Sequence, residues 1–254
     1  MKTIVSRTLS VHKEHEVLLK LEAAGLCDDL AQRVIDSKNN DLAKKVVRLI
    51  TNGGFEPSMS QKRAREIMGR NFFGVEEAIT HFGVNPTKQQ SAYLAGVPFT
   101  EEVLASCKDT HILVAVFPMS LLDIRGACED QGLFYNQDWY NEIMFARDRG
   151  KVSWHLVRKT PVENFTNKTC NDQQALLGKD EETLSIRAVV YTMIGYFKAT
   201  GKHLFEKNVF VRTSSLDSSG NRVYVGIFDA KGLVVDYYWD DYHYDNLGLA
   251  SARK

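Results

Sequence analysis

His155, Arg158 and Lys159 sit close together in the chain and bring the groups that handle negative charge into one stretch. An imidazole gives or takes a proton near neutrality, a guanidinium offers a planar fork to carboxylate or phosphate, and a lysine supplies a point charge. With a carboxylate from Asp123, Asp172 or Glu181 to orient the imidazole, the trio would form the catalytic set of a hydrolase acting on an anionic substrate. A histidine on a packed strand face is more often a hydrogen-bonded core residue, so the two expectations stand side by side.

Two further clusters carry chemistry. Lys62, Arg63 and Arg65, with Arg70, precede Gly83-Val-Asn-Pro86 and Thr87-Lys-Gln-Gln90 in the order of a helix-turn-helix over residues 61–94, in which the basic residues would hold phosphates. The pattern is degenerate. Ile79 stands where an alanine is usual, and Gln89 and Gln90 where the second helix needs an apolar anchor, so a helical subdomain with a solvated basic face is favoured over DNA binding. Near the C-terminus, Asp236-Tyr-Tyr-Trp-Asp-Asp-Tyr-His-Tyr-Asp245 sets aromatic rings between carboxylates. Exposure of Trp239 and Tyr242 would mark a surface that stacks on a sugar or a partner; burial of both would leave only an alternating edge strand.

Weaker signals have simpler explanations. His12 and His15 beside Glu14 and Glu16 could supply two metal ligands but lack a third, and Asp229-x-Lys231 before Gly232 has the composition of a turn rather than of a nuclease centre. Phosphate-binding glycine loops, nucleophile elbows and zinc-binding His-Glu-x-x-His pairs are absent. No metal site and no cofactor is expected.

The stretch presenting the trio, residues 151–160, alternates as a strand: Val152, Trp154, Leu156 and Arg158 on one face, Ser153, His155, Val157 and Lys159 on the other. The first face reads as core; the second suits a cleft, a covering helix or solvent. Ile112-Leu-Val-Ala-Val-Phe117 is a continuous apolar run of the kind that forms a strand buried on both sides. Upstream, three apolar stripes with helical spacing (Val17, Leu18, Leu21 and Ala24; Leu30, Val34 and Ile35; Leu42, Val46, Val47 and Ile50) suggest a small bundle over residues 1–54, ended by Thr51-Asn-Gly-Gly54. Residues 55–108 read as a helical connector with starts at Ser60, Val75, Thr87 and Thr100. Residues 109–254 read as an α+β domain with helices at 140–149 and 182–200 and strands at 209–213, 222–228 and 233–238. The fold class is therefore α+β: a helical N-terminal subdomain, a mixed sheet with packed helices and a closing antiparallel meander.

The 254 residues, 44% hydrophobic and 25% charged, belong to an ordinary globular protein. A formal net charge of zero provides no global field towards nucleic acid or an anionic membrane. Cys27, Cys107, Cys128 and Cys170 form no Cys-x-x-Cys pair and read as reduced thiols. No apolar run is long enough to cross a bilayer or to open a signal peptide, so a soluble, cytoplasmic protein is expected.

Five runs, Arg70-Asn-Phe-Phe-Gly-Val-Glu-Glu-Ala-Ile-Thr-His-Phe-Gly83, Lys108-Asp-Thr-His-Ile-Leu-Val-Ala-Val-Phe-Pro118, Trp154-His-Leu-Val-Arg-Lys-Thr-Pro161, Gln173-Gln-Ala-Leu-Leu177 and Asp245-Asn-Leu-Gly-Leu-Ala-Ser-Ala-Arg-Lys254, resemble a group of uncharacterised bacterial proteins from environmental genomes. The resemblance implies a bacterial, cytoplasmic setting and one continuous unit after residue 60; it carries no activity and no site residue. The leading expectation is a binding or interaction protein whose partner is another protein or a small anionic ligand. The hydrolase built on His155 with Arg158 or Lys159 is the alternative, and the DNA-binding protein a second one.

Overall fold

The computed structural model describes residues 10–38, 42–43, 46–47, 59–162 and 164–254, which fall into two compact units, Met1–Glu56 and Pro57–Lys254. In the first unit, Ser10 caps a helix over Val11–Ala23, and a second helix spans Asp28–Ile35. Its N-cap is Cys27, which places Asp28 and Asp29 within the first turn, where their charge opposes the helix dipole. The expected apolar stripes are present but open. No described residue of this unit is buried, and Val17, Leu18, Leu21, Leu30 and Ile35 are all exposed. Ile50 and the turn 51–54 lie outside the described residues.

The second unit is organised by one helix, Ile186–Thr200, in which every residue from Ile186 to Tyr196 is buried. A helix apolar all round needs cover on every side, and this one packs against both of the unit's larger sheets. Ser185 caps it and Gly201, at φ 69°, ends it. Glu182 and Thr183, expected to begin this helix, instead belong to a strand, Glu181–Thr183, because Ser251–Arg253 offers it a ladder. Gly195 lets Phe73 and Phe82 close onto the helix: a Cβ there would meet Phe73 at 3.0 Å.

The five-stranded sheet has the order β2 (Phe72–Phe73), β4 (His111–Val116), β5 (Ser153–Arg158), β11 (Ser251–Arg253) and β6 (Glu181–Thr183). β4 and β5 run antiparallel with Val114 opposite His155 and Leu113 opposite Leu156, and all six residues of β4 are buried. β2 joins β4 in parallel and ties the helical segment 55–108 to the sheet, so the two segments read apart in the sequence share one unit. That segment holds the expected helices at Gln61–Met68, Val75–Phe82, Lys88–Leu94 and Glu101–Cys107, capped by Ser60, Gly74, Thr87 and Thr100. Two short strands, β1 (Met59–Ser60) and β3 (Gly96–Val97), pair beside them. Only Met144–Arg147 of the helix expected at 140–149 forms. Tertiary partners claim the turn before it: the Trp139 indole donates to the Val235 carbonyl at 3.1 Å, and Arg125 holds Asn141.

The four-stranded sheet has the order β10 (Leu247–Leu249), β7 (Phe210–Leu216), β8 (Arg222–Asp229) and β9 (Gly232–Tyr238). β7, β8 and β9 form the expected meander, and β10 returns parallel to β7. The sheet has two unlike faces. Val211, Thr213, Val223, Val225, Leu233 and Val235 make a fully buried face; Phe210, Arg212, Arg222, Tyr224, Asp236 and Tyr238 make the other. A bulge sets this division, because Ile227 and Phe228 together face Leu233, with Ile227 at φ 43°, a region a β-branched residue seldom occupies.

Arg212 is 1% exposed and forms no ion pair among the described residues. It donates to the Gln173 side-chain carbonyl at 2.7 Å, to the Lys168 carbonyl at 3.2 Å and to the Tyr242 carbonyl. Gln173, fully buried, donates in turn to the carbonyls of Phe165 and Leu247. Residues 165–173 and 239–246 are thereby sewn onto the polar face of the sheet. Arg212→Met should lower the unfolding free energy by about 3 kcal/mol or more, since it leaves buried carbonyls without donors, and Arg212→Lys should recover less than half of the loss. Urea denaturation measures this, and a methionine variant as stable as the parent would refute the role given to Arg212.

Candidate binding cleft

Period-2 alternation separates the trio on β5. His155 faces the Ile186–Thr200 helix, in company with Phe73 and Tyr191, and its Nε2 lies 2.8 Å from the Ser153 hydroxyl. Burial, then the nearby Arg187, pushes its pKa down to about 4, so the ring is neutral at pH 7. Arg158 points to the opposite face and donates to Glu181 at 2.7 Å across β11. Lys159, just past the strand, lines a separate cleft of about 610 Å³ with His203, Phe205 and Glu206, where burial and then Arg70 lower its pKa. The three side chains do not converge, and among the described residues no carboxylate is hydrogen-bonded to the imidazole. His155 is a covered residue beneath a helix.

The basic residues of the 61–94 segment are mostly occupied. Arg63 pairs with Glu101 at 2.8 Å and Glu66 at 3.1 Å; Arg65 pairs with Glu77 and Glu76 and lies over the Phe72 ring. Lys62 is exposed. Guanidinium groups already paired with carboxylates would have to lose those partners before holding phosphates. Asp229 and Lys231 form the expected turn, with the Asp229 carboxylate accepting from the Lys231 amide at 2.8 Å. No group of three potential metal ligands occurs among the described residues, the His12 and His15 pair included.

The aromatic and acidic segment behaves differently. Its first residues are the end of β9; after Tyr238 the chain leaves the sheet and turns back across the polar face as a strap. Arg212 holds the strap at the Tyr242 carbonyl, Arg222 holds the Asp240 carboxylate at 3.4 Å, and the Cys170 amide donates to the Asp240 carbonyl at 2.9 Å. Tyr242 is half-buried, with its ring 3.9 Å from Tyr238 and 4.1 Å from Tyr244. Trp239 is 67% exposed. The strap is thus a ridge of ring pairs in tilted and edge-to-face contact, and its exposed indole lies 5.1 Å from the Tyr238 ring. Segment 133–139 covers the outer edge of β9 through the Leu133, Leu233, Tyr135 and Val235 backbone, so strand addition there is blocked.

Between strap and sheet opens a cleft of about 420 Å³ lined by Phe210, Tyr224, Asp236, Tyr244, Asp245 and Leu247 among others. Register builds it: Tyr224 lies opposite Asp236 on β9 and next to Arg212 on β7, and Phe210 lies opposite Gly226. A side chain at Gly226 would strike the Val209 carbonyl, so that position stays open. Burial first, and then the negative charge of Asp236, push the Tyr224 hydroxyl well above the ordinary phenol range. Phe210 and Tyr224 escape sequence reasoning because counting outward from the Asp229 to Gly232 turn sets Tyr224 opposite Tyr237, on the other face. The bulge at Ile227 shifts the pairing by one.

No family model, curated protein or solved structure matches the chain. The site is therefore characterised by its own geometry.

Burial and then Arg158 likewise lower the pKa of His111 to about 4. Both folded-state values lie below the ordinary 6.5, so the unfolded chain takes up protons first as the pH falls. Stability is expected to be fully kept above about pH 6.5 and to decline between there and about pH 4. His155→Gln and His111→Asn should each flatten part of that decline in denaturation curves at pH 7 and 4.5; an unaltered slope in both variants would contradict it.

Proposed function

We propose that this is a partner-binding protein whose recognition surface is the strap 239–246 with the cleft behind it, and that the partner carries positive charge. The observation that carries the proposal is Trp239, an indole 67% exposed on a strap that Arg212 holds at the Tyr242 carbonyl and Arg222 holds at the Asp240 carboxylate. A large aromatic group kept in water on a rigid support has little structural reason to be there and is the commonest kind of interface anchor. Asp236, Asp241 and Asp245 give the surroundings a negative sign, and none of them forms an ion pair among the described residues. The divergence of His155, Arg158 and Lys159 supports binding over hydrolysis.

No helix among the described residues is long and apolar enough to cross a membrane. The buried free thiols of Cys107, Cys128 and Cys170 support a reducing, cytoplasmic setting.

An octalysine peptide should bind and change tryptophan emission, with affinity falling as salt rises, whereas octaglutamate should not bind. Trp239→Ala should weaken octalysine binding about tenfold, in keeping with loss of a central aromatic anchor, without moving the melting temperature. Equal responses to the two peptides, or unchanged affinity in the variant, would overturn the proposal.

A further inference from the structure

The cleft behind the strap combines two features. Its walls are aromatic: Phe210 and Tyr224 meet edge to face with centroids 5.0 Å apart, and Tyr244, 46% exposed, closes the mouth from the strap side. Its polar groups are chiefly acidic. One oxygen of Asp236 accepts from the Tyr237 amide at 2.9 Å, the Tyr224 hydroxyl lies against the same carboxylate, and Asp245 is exposed at the rim. Neither carboxylate has a cationic partner among the described residues.

The chemistry of that lining is selective. An anion would be repelled by both carboxylates. A hard divalent cation wants six or more oxygen ligands in a close shell, and the described residues place no third acidic or imidazole ligand here. Ring faces carry negative quadrupole potential and attract a large, weakly hydrated organic cation, while a carboxylate beside them supplies the opposite charge. The volume, about 420 Å³, lies in the range of small-molecule sites. We propose that this cleft binds an alkylammonium group, with Phe210, Tyr224 and Tyr244 around the cation and Asp236 as its counter-charge. The inference rests on the strap being a recognition surface and adds the chemical class of what is recognised.

The group could arrive as a free amine or as the lysine side chain of a partner, and the two arms of one experiment separate these sources. Tetramethylammonium, titrated against the full chain and followed by its methyl proton resonance, should show saturable binding with an upfield ring-current shift. tert-Butanol, its neutral counterpart of similar shape, should show neither. Asp236→Asn and Tyr244→Leu should each weaken tetramethylammonium binding about tenfold. An unchanged melting temperature shows that each variant remains folded; Tyr244, being exposed, serves where Asp236→Asn disturbs folding.

In the second arm, octalysine that competes with tetramethylammonium identifies a lysine-bearing partner. Tetramethylammonium binding without competition identifies a free amine. Octalysine binding with no saturable tetramethylammonium binding up to about 100 mM, well above the millimolar range of weak sites, sinks the ammonium site while leaving the charged strap standing. Failure of both ligands sinks both readings. An equal response to tert-butanol would reduce the cleft to an apolar one and also overturn the proposal.

Discussion

A single buried cation, Arg212, decides how the C-terminal half of the molecule is arranged. It lies in the polar face of a sheet whose other face is buried and mostly apolar, and it is held by neutral carbonyl oxygens of Gln173, Lys168 and Tyr242 instead of by a carboxylate. A charge taken out of water is tolerated only where every donor finds an acceptor. Those acceptors come from two loops far apart in sequence, so burying Arg212 fixes both. The strap therefore keeps its shape, and Trp239 can project from it. Burial lowers the pKa of Arg212, an indication of how strongly the site resists the charge, although the group remains a cation.

The Ile186–Thr200 helix plays the corresponding part for the apolar core. Its burial on all sides explains the fate of His155. The second face of β5 had three possible neighbours, and a helix carrying Arg187 and Tyr191 is the one it meets. Arg187 is itself buried, donating to the Phe117 carbonyl at 3.0 Å. The histidine thus sits buried beside a cation, which keeps it neutral at pH 7.

Much of the fold was legible because it depends on local rules. Ser60 announced its helix by capping chemistry, the apolar run at 112–117 announced a strand buried on both faces, and the turn composition at 229–232 marked the last hairpin of the meander. The failures have tertiary causes. Glu181–Thr183 became a strand because the chain terminus supplied a partner, and 140–149 lost most of its helix because Trp139 and Asn141 were drawn into contacts with residues far away in sequence. The candidate site was half legible. The composition of 236–245 pointed to Trp239 and Tyr242, but Phe210 and Tyr224 belong to the cleft only through strand register, and His155 and Arg158 were grouped although alternation on one strand sends them to opposite sides.

The doubled residues at Ile227 and Phe228 carry an implication for how this protein tolerates change in length. The tip of the hairpin, Ala230 and Lys231, is exposed, and residues added there would leave the pairing of 222–226 with 234–238 untouched. Removal of one of the doubled residues would make the ladder regular, with Gly226 still opposite Val234, and would leave Val223, Tyr224 and Val225 on their present sides. Two neighbouring points on one hairpin thus absorb a change of length in opposite senses: the tip takes up added residues, and the bulge can lose one.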